Sequence, residues 1–137
     1  MTTMDRIDHV GVAVTDLEKA IETYKDLGFE YLGREIVEEQ KVETAFFRVG
    51  ESKIELLGAT DPASPIARFI EKNGHKGGIA HMAVHVTRLE EKLADMKAKG
   101  FQLIDELPKA GAHGMKIAFV HPKSTAGVLL ELCEKAG

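Results

Sequence analysis

An internal repeat constrains the fold of this chain more than any other feature. Residues 7–32 align with residues 79–104 at a constant offset of 72, and ten of these 26 positions are identical. A second correspondence follows, because residues 54–57 (Ile-Glu-Leu-Leu) match residues 130–133 (Leu-Glu-Leu-Cys). The chain therefore contains one module twice, and each copy offers a histidine and a glutamate at corresponding positions.

Each copy is expected to begin with a strand. Branched apolar residues recur at every second position of 7–14, so that three valines share one face and His9 lies on the other. His81 occupies the same position in 79–86. Three further strands are predicted in each copy, at 29–34, 44–49 and 53–57 in the first and at 101–105, 115–120 and 127–133 in the second.

A helix is predicted after the first strand of each copy. Its N-terminus is marked by a Thr-x-x-Glu capping box and its C-terminus by a glycine: Thr15, Glu18 and Gly28 in the first copy, Thr87, Glu90 and Gly100 in the second. Leu93 and Met96 are the predicted buried stripe of the second helix. The connector, rich in Gly, Pro and Ser, should hold a short helix capped by Ser64.

The order β-α-β-β-β in each copy predicts the α+β class. One module alone would leave a sheet face unburied, so the two modules are expected to pair. The length of 137 residues fits a single domain. We expect module 1 at about 5–58, a connector at 59–78 and module 2 at about 79–135.

Charge and cysteine content exclude several classes of function. The 18 basic and 22 acidic residues give a formal charge of −4, so the chain lacks the excess of positive charge that is typical of proteins that bind nucleic acid. The single cysteine, Cys133, cannot form an internal disulfide, and no apolar run approaches the roughly 20 residues of a membrane-spanning helix. With no segment of signal-peptide type, we expect a cytoplasmic protein in which Cys133 belongs to the core.

Four residues form a candidate metal site. His9 and His81 lie in first strands and Glu55 and Glu131 in last strands, so pairing of the modules would bring them together. Two carboxylates close together repel unless a cation lies between them. Mixed nitrogen and oxygen ligation suits Zn²⁺, Co²⁺, Ni²⁺, Mn²⁺ or Fe²⁺, and an octahedral ion would keep two positions for substrate or water. We expect one divalent ion per chain.

These residues resemble the vicinal oxygen chelate (glyoxalase/bleomycin resistance/dioxygenase) superfamily over nearly the whole chain. Within it the chain is similar to the methylmalonyl-CoA epimerase family, on residues 8–14, 64–70, 106–114 and 121–132. The resemblance implies a glyoxalase-like curved, open mixed sheet around a metal-binding cleft. It also implies an isomerase of propionate metabolism, a homodimer that interconverts (2R)- and (2S)-methylmalonyl-CoA by 1,1-proton transfer through an enolate.

The resemblance implies roles for individual residues. Glu43 breaks the repeat, because its counterpart is Lys116, and it matches the glutamate taken as the proton-transferring base of the epimerases. Glu131 would return the proton on the opposite face as well as bind the metal. Lys123 and Ser124 lie in a loop that is a candidate for binding the CoA phosphates.

Other functions remain open from the sequence. A glyoxalase I-type lactoylglutathione lyase shares the fold and the His/Glu set, but its usual strand pattern lacks a counterpart of Glu43. A non-catalytic small-molecule-binding protein of the same fold would commonly lose metal ligands, whereas this chain keeps all four candidates. An extradiol dioxygenase would call for two histidines and one carboxylate. The expected partner is a small CoA thioester, with neither nucleic acid nor membrane.

Overall fold

The computed structural model describes residues 2–136. Its strands are β1 (Met4–Ala13), β2 (Glu30–Val37), β3 (Val42–Val49), β4 (Ser52–Ala59), β5 (Gly78–Val86), β6 (Lys109–Ala110), β7 (Met115–Val120) and β8 (Leu130–Lys135). Its α-helices are α1 (Leu17–Asp26), α2 (Pro65–Lys72) and α3 (Leu89–Ala98). The α+β class and the order of elements in both copies are confirmed.

The described residues form two compact units. The first-copy unit is His9–Ala80, and the second-copy unit combines the described residues of 1–8 with those of 81–137. Strands in the first-copy unit follow the order β2-β3-β4-β1, and those in the second-copy unit follow β5-β8-β7-β6. In both units the first and last strands of the repeat pair in parallel, β1 with β4 and β5 with β8. The single domain over 1–137 stays a prediction.

The first-copy sheet has apolar clusters on both faces. Leu56 packs with Phe47 and with Ile21 of α1, and its neighbour Leu57 packs with Ala13 and with Ile66 of α2. Successive residues of a strand point to opposite faces, so α1 covers the face that bears Leu56. We call this the helix face and the opposite face, which bears Glu55, the site face.

The second-copy sheet repeats this division. Leu132 of β8 packs with Leu93 and Met96 of α3 on its helix face, and these two predicted core residues are 1% and 5% exposed. Glu131 and Cys133 flank Leu132 and therefore lie on the site face. Cys133 is buried, as predicted.

Neither helix uses its predicted capping box. The α1 N-cap is Asp16, whose carboxylate accepts a hydrogen bond from the Lys19 N–H at 3.1 Å. The first N–H groups of α3 donate instead to Glu134 of β8, from Arg88 at 2.7 Å and from Leu89 at 3.0 Å. The prediction was wrong because both helices begin one residue later than the boxes place them, at Leu17 and Leu89, and a neighbouring and a distant carboxylate cap their N-termini.

The helix ends predicted from glycine and serine are confirmed. Gly28 and Gly100 follow α1 and α3 with φ of +99° and +89°, a backbone conformation that glycine adopts without steric cost. The Ser64 hydroxyl accepts a hydrogen bond from the Ile66 N–H at 3.1 Å and so caps α2. Among the described residues, no helix combines the length and apolarity needed to span a membrane.

The strand predicted at 101–105 is wrong. The structure gives this segment one isolated bridge, between Leu103 and Val120, and pairs β6 with β7 instead. The Gln102 N–H donates to the Ser124 hydroxyl at 2.9 Å rather than to a strand. The segment still makes backbone hydrogen bonds, from the Ile104 N–H to the Phe119 carbonyl and from the His121 N–H to the Gln102 carbonyl, both at 2.9 Å, but they form no continuous ladder. A local pattern does not reveal this interruption.

The last predicted strand, 127–133, begins later than expected. β8 starts at Leu130, because Ala126 and Gly127 adopt positive φ angles of 58° and 91° and form a turn. Of the three predicted site residues in this region, Lys123 and Ser124 lie in the preceding 3-10 turn, and Glu131 remains inside the strand.

Candidate metal centre and reaction site

The first-copy unit joins His9 and Glu55 in a buried pair. β1 and β4 run parallel with Gly11 beside Glu55, and His9 lies two residues earlier on the same face. The Nδ1 atom of His9 is 3.1 Å from Oε2 of Glu55. The two residues are only 6% and 7% exposed. An imidazole and a carboxylate predicted from the sequence are thus in contact, shielded from water.

The second-copy unit joins His81 and Glu131 in the same way. Ala83 pairs with Glu131, and His81 again lies two residues earlier. The Nε2 atom of His81 is 3.2 Å from Oε1 of Glu131, and the residues are 7% and 4% exposed. Phe119 stands edge-on to the His81 ring, with ring centroids 5.7 Å apart. The repeat therefore produces a buried His–Glu pair in the same register twice, with Nδ1 facing the carboxylate in the first unit and Nε2 in the second.

Each pair fits two ligands of a divalent ion. Metal-to-ligand distances of about 2.0–2.2 Å place adjacent ligands of an octahedral ion about 3 Å apart. The observed N–O separations are 3.1 and 3.2 Å. Nitrogen and oxygen donors together suit the borderline first-row metals, and burial protects the bound ion from competing water. The donor set of each unit thus agrees with the expected cofactor.

Asp8 is a buried charged residue that the sequence analysis did not single out. It is 7% exposed, and its carboxylate lies 3.9 Å from a guanidinium nitrogen of Arg6. A charged residue directly before His9, within the apolar alternation that begins at Ile7, was the available signal. Carboxylates beside metal-binding histidines commonly tune the ligand.

Glu43 lies on the helix face of its sheet. In the antiparallel pairing of β3 with β4, Glu43 is opposite Gly58, whereas Glu55 is opposite Phe46. Paired residues share a face and successive residues alternate, so the side chains of Glu43 and Glu55 leave the sheet on opposite sides. The structure does not bring Glu43 to the His9–Glu55 pair.

The Glu43 carboxylate binds an arginine that also binds α1. Arg34 donates from Nε to Glu43 at 2.8 Å and from Nη2 to Glu18 at 2.6 Å. The hydrogen bonds that Arg34 donates to Glu18 and Glu43 raise the pKa of Arg34, and the hydrogen bond and charge of Arg34 lower the pKa of Glu18. These contacts connect the first turn of α1 to the outer strands of the sheet.

The second copy has an ion-pair network at the corresponding place with the charges rearranged. Lys116, the repeat counterpart of Glu43, lies 3.5 Å from Glu90 in the first turn of α3 and 3.5 Å from Glu134 of β8. Glu18 and Glu90 are themselves repeat equivalents. In each unit, ion pairs at this position thus connect the first turn of the helix to the sheet, with Glu43 in the first copy and Lys116 in the second.

The loop predicted to bind substrate is fixed by its own hydrogen bonds. The Ser124 hydroxyl accepts from the Gln102 N–H, and the Lys123 N–H donates to Nδ1 of His121 at 3.0 Å. The Lys123 side chain is exposed. Contact of Lys123 or Ser124 with substrate stays a prediction.

Comparison with known proteins agrees with this fold. A profile of the Glyoxalase/Bleomycin resistance protein/Dioxygenase superfamily matches residues 8–119. The human mitochondrial methylmalonyl-CoA epimerase is 39% identical over 94% of this chain and 73% of its own length. The ethylmalonyl-CoA/methylmalonyl-CoA epimerase of Cereibacter sphaeroides is 38% identical over 93% of this chain and 96% of its own length.

Solved structures are also similar to this chain. A methylmalonyl-CoA epimerase in complex with methylmalonyl-CoA and NH4+ is 34% identical, with a TM-score of 0.92, over 98% of this chain and 97% of that one. A hypothetical protein of Bacillus halodurans is 43% identical, with a TM-score of 0.90, over 96% of this chain and 95% of that one.

The repeated βαβββ units and the matching profile show that the chain belongs to the glyoxalase/bleomycin resistance/dioxygenase superfamily. Within that superfamily its named relatives are methylmalonyl-CoA epimerases, so it falls in an enzyme family of the isomerase class, the racemases and epimerases.

Proposed function

We propose that this protein interconverts the (2R) and (2S) forms of methylmalonyl-CoA by 1,1-proton transfer. The observation that carries the proposal is the buried His–Glu pair, present in the same register in both copies. The proposal is supported by relatives that are named for this substrate.

The proposal includes one divalent ion held jointly by His9, Glu55, His81 and Glu131. Its support is the donor chemistry, the separation of about 3 Å within each pair and the burial of all four side chains. When bound, such an ion supplies Lewis-acid stabilisation of negative charge on the thioester and carboxylate oxygens of the substrate. Co²⁺, Ni²⁺, Zn²⁺ and Mn²⁺ all accept these ligands.

Inversion at the substrate's α-carbon needs two proton carriers. One takes the proton from one face and leaves an enolate; the other returns a proton to the opposite face. We assign one of these roles to the Glu131 carboxylate, whose burial excludes water that would compete for the proton. Glu43 is the second carrier implied by the resemblance, although the sheet register directs it towards Arg34.

Exchange of the α-proton in deuterated water tests the proposal directly. The metal-loaded protein should incorporate deuterium into methylmalonyl-CoA and interconvert its epimers, both followed by mass spectrometry and chiral analysis. Protein loaded with metal that binds the thioester without exchange would instead be a binding protein. Turnover of the glutathione hemithioacetal of methylglyoxal, with none of methylmalonyl-CoA, would identify a glyoxalase I-type lyase.

A homodimer and a cytoplasmic location complete the proposal. Both follow from the sequence-based expectations. Light scattering on the purified protein measures the first, and fractionation of the producing cells measures the second.

A further inference from the structure

Lys109 lies on the site face of the second-copy sheet. It pairs with Ile117 of β7, and Phe119, two residues further along β7, pairs with Glu131 of β8. Residues two apart on a strand share a face, and directly paired residues share a face as well. Lys109 is therefore on the side of the sheet that carries the His81–Glu131 pair.

The Lys109 ammonium is held beside Phe119 by two contacts. Its Nζ is 3.2 Å from Oδ1 of Asp105 and 5.0 Å from the centroid of the Phe119 ring. The other oxygen of Asp105 accepts a hydrogen bond from the Phe119 N–H at 2.9 Å, which fixes the carboxylate. Phe119 in turn stands edge-on to His81. One aromatic ring thus separates a positioned cation from a candidate metal ligand.

The duplicated scaffold does not require a cation at this position. Overlay of β3 on β7 at the offset of 73 that matches Ala45 with Ala118 also matches Thr44 with Ile117. The cross-strand partner of Thr44 is Glu35, whereas that of Ile117 is Lys109. At equivalent positions on the site face, the first copy therefore carries the negative charge of Glu35 and the second copy the positive charge of Lys109.

We propose that Lys109 binds an anionic oxygen of the acyl-CoA substrate, an inference that rests on the proposed function. An ammonium has three N–H donors, so Lys109 can bind a further anionic oxygen beside its ion-pair partner Asp105. The side chain is 38% exposed, so the ammonium is accessible while its stem is partly covered. Methylmalonyl-CoA carries anionic oxygens on its acyl carboxylate and on its CoA phosphates, and both bind ammonium groups by charge-assisted hydrogen bonds.

The binding of two thioesters to Lys109→Met shows whether Lys109 binds the acyl carboxylate or a CoA phosphate. Propionyl-CoA has the same CoA phosphates as methylmalonyl-CoA but lacks the acyl carboxylate. Calorimetry with metal-loaded protein should show weaker binding of methylmalonyl-CoA, by about tenfold or more. Unchanged binding of propionyl-CoA would assign Lys109 to the carboxylate, and an equal loss for both thioesters would assign it to a CoA phosphate. Unchanged binding of both would overturn the inference.

Two matched variants complete the design. Lys97→Met removes the same charge from the exposed surface of α3, where Lys97 pairs with Glu106 at 2.7 Å, and should bind both thioesters like the wild type. Lys109→Arg keeps the charge and should recover most of the lost affinity. Thermal unfolding and metal content of each variant report its folding, and Lys109→Gln replaces Lys109→Met if the methionine variant does not fold.

The same titrations separate failure of this inference from failure of the proposed function. Wild-type protein that binds neither thioester would refute the proposed function itself. Wild-type protein that binds and exchanges methylmalonyl-CoA, with Lys109→Met binding equally well, would refute only the role of Lys109.

Discussion

Each candidate ligand is a buried polar side chain that contacts another one in the same unit, His9 with Glu55 and His81 with Glu131. None of the four is more than 7% exposed. Burying such groups is unfavourable unless they are paired or bound to a cation, and their retention in both copies supports the proposed metal site.

Removal of one imidazole should lower metal content. We expect His81→Ala to lose most of its bound ion, because a buried nitrogen ligand is deleted, and metal analysis after gel filtration measures the loss. His85→Ala is the matched control: His85 lies on the same strand and face but binds Asp5, with Nδ1 2.8 Å from Oδ1. Full metal content in His81→Ala would remove this residue from the site.

Glu43→Gln distinguishes a base from a structural residue. If Glu43 is the second proton carrier, Glu43→Gln should exchange the α-proton about 100-fold more slowly or worse, with metal content intact. Exchange within a few-fold of wild type, with a modest loss of thermal stability, would instead show that the carboxylate serves to bind Arg34 on the helix face. Deuterium incorporation and a melting curve on the same preparation measure both.

At the scale of helices and strands, ion pairs and helix caps connect one element to another. The first turn of α3 is capped by Glu134 from β8, and the backbone hydrogen bond from Leu89 is the main cause that lowers the pKa of this carboxyl below its ordinary 4.5. The cap connects residues far apart in sequence, so it stabilises the docked helix rather than the helix alone.

Glu134→Gln should destabilise the fold by about 1 kcal/mol at neutral pH, because the charged acceptor of two N–H groups is lost. The folded pKa is depressed, so the stabilisation is complete above pH 4.5 and disappears as pH falls through the folded-state value. Urea unfolding at neutral pH and near pH 3 should therefore show the variant's deficit shrinking in acid. Glu91→Gln, on the exposed side of α3, should show no comparable deficit; an equal deficit would refute the capping role.

For the whole molecule, metal stoichiometry decides whether the two pairs serve one ion. The proposal expects one ion per chain and expects either His9→Ala or His81→Ala to abolish tight binding. Two independent sites would give two ions per chain, with one lost in each variant. Chelation should also lower the melting temperature of the wild type, because an ion bound only to the folded state stabilises it by mass action. An unchanged melting temperature would contradict a jointly held ion.

The sequence by itself determined the repeated elements and the residues that could act as ligands. The alternation around His9 and the apolar neighbours of Glu55 are local patterns, and local sterics and solvation suffice to form them. Gly28 and Gly100 marked helix ends for the same reason, since the positive φ is a property of the residue itself.

Only the tertiary structure decided which face of a sheet a residue occupies and which distant group it meets. A shift of one residue in the β3–β4 register reverses the face of Glu43, and that register depends on pairing along the whole hairpin. Glu134 caps α3 from a segment far away in the chain, and Lys109 reaches Phe119 across the pairing of β6 with β7. The repeat therefore predicted the candidate metal ligands, whereas strand pairing determined that its asymmetry on the site face lies at Lys109 and Glu35 rather than at Glu43.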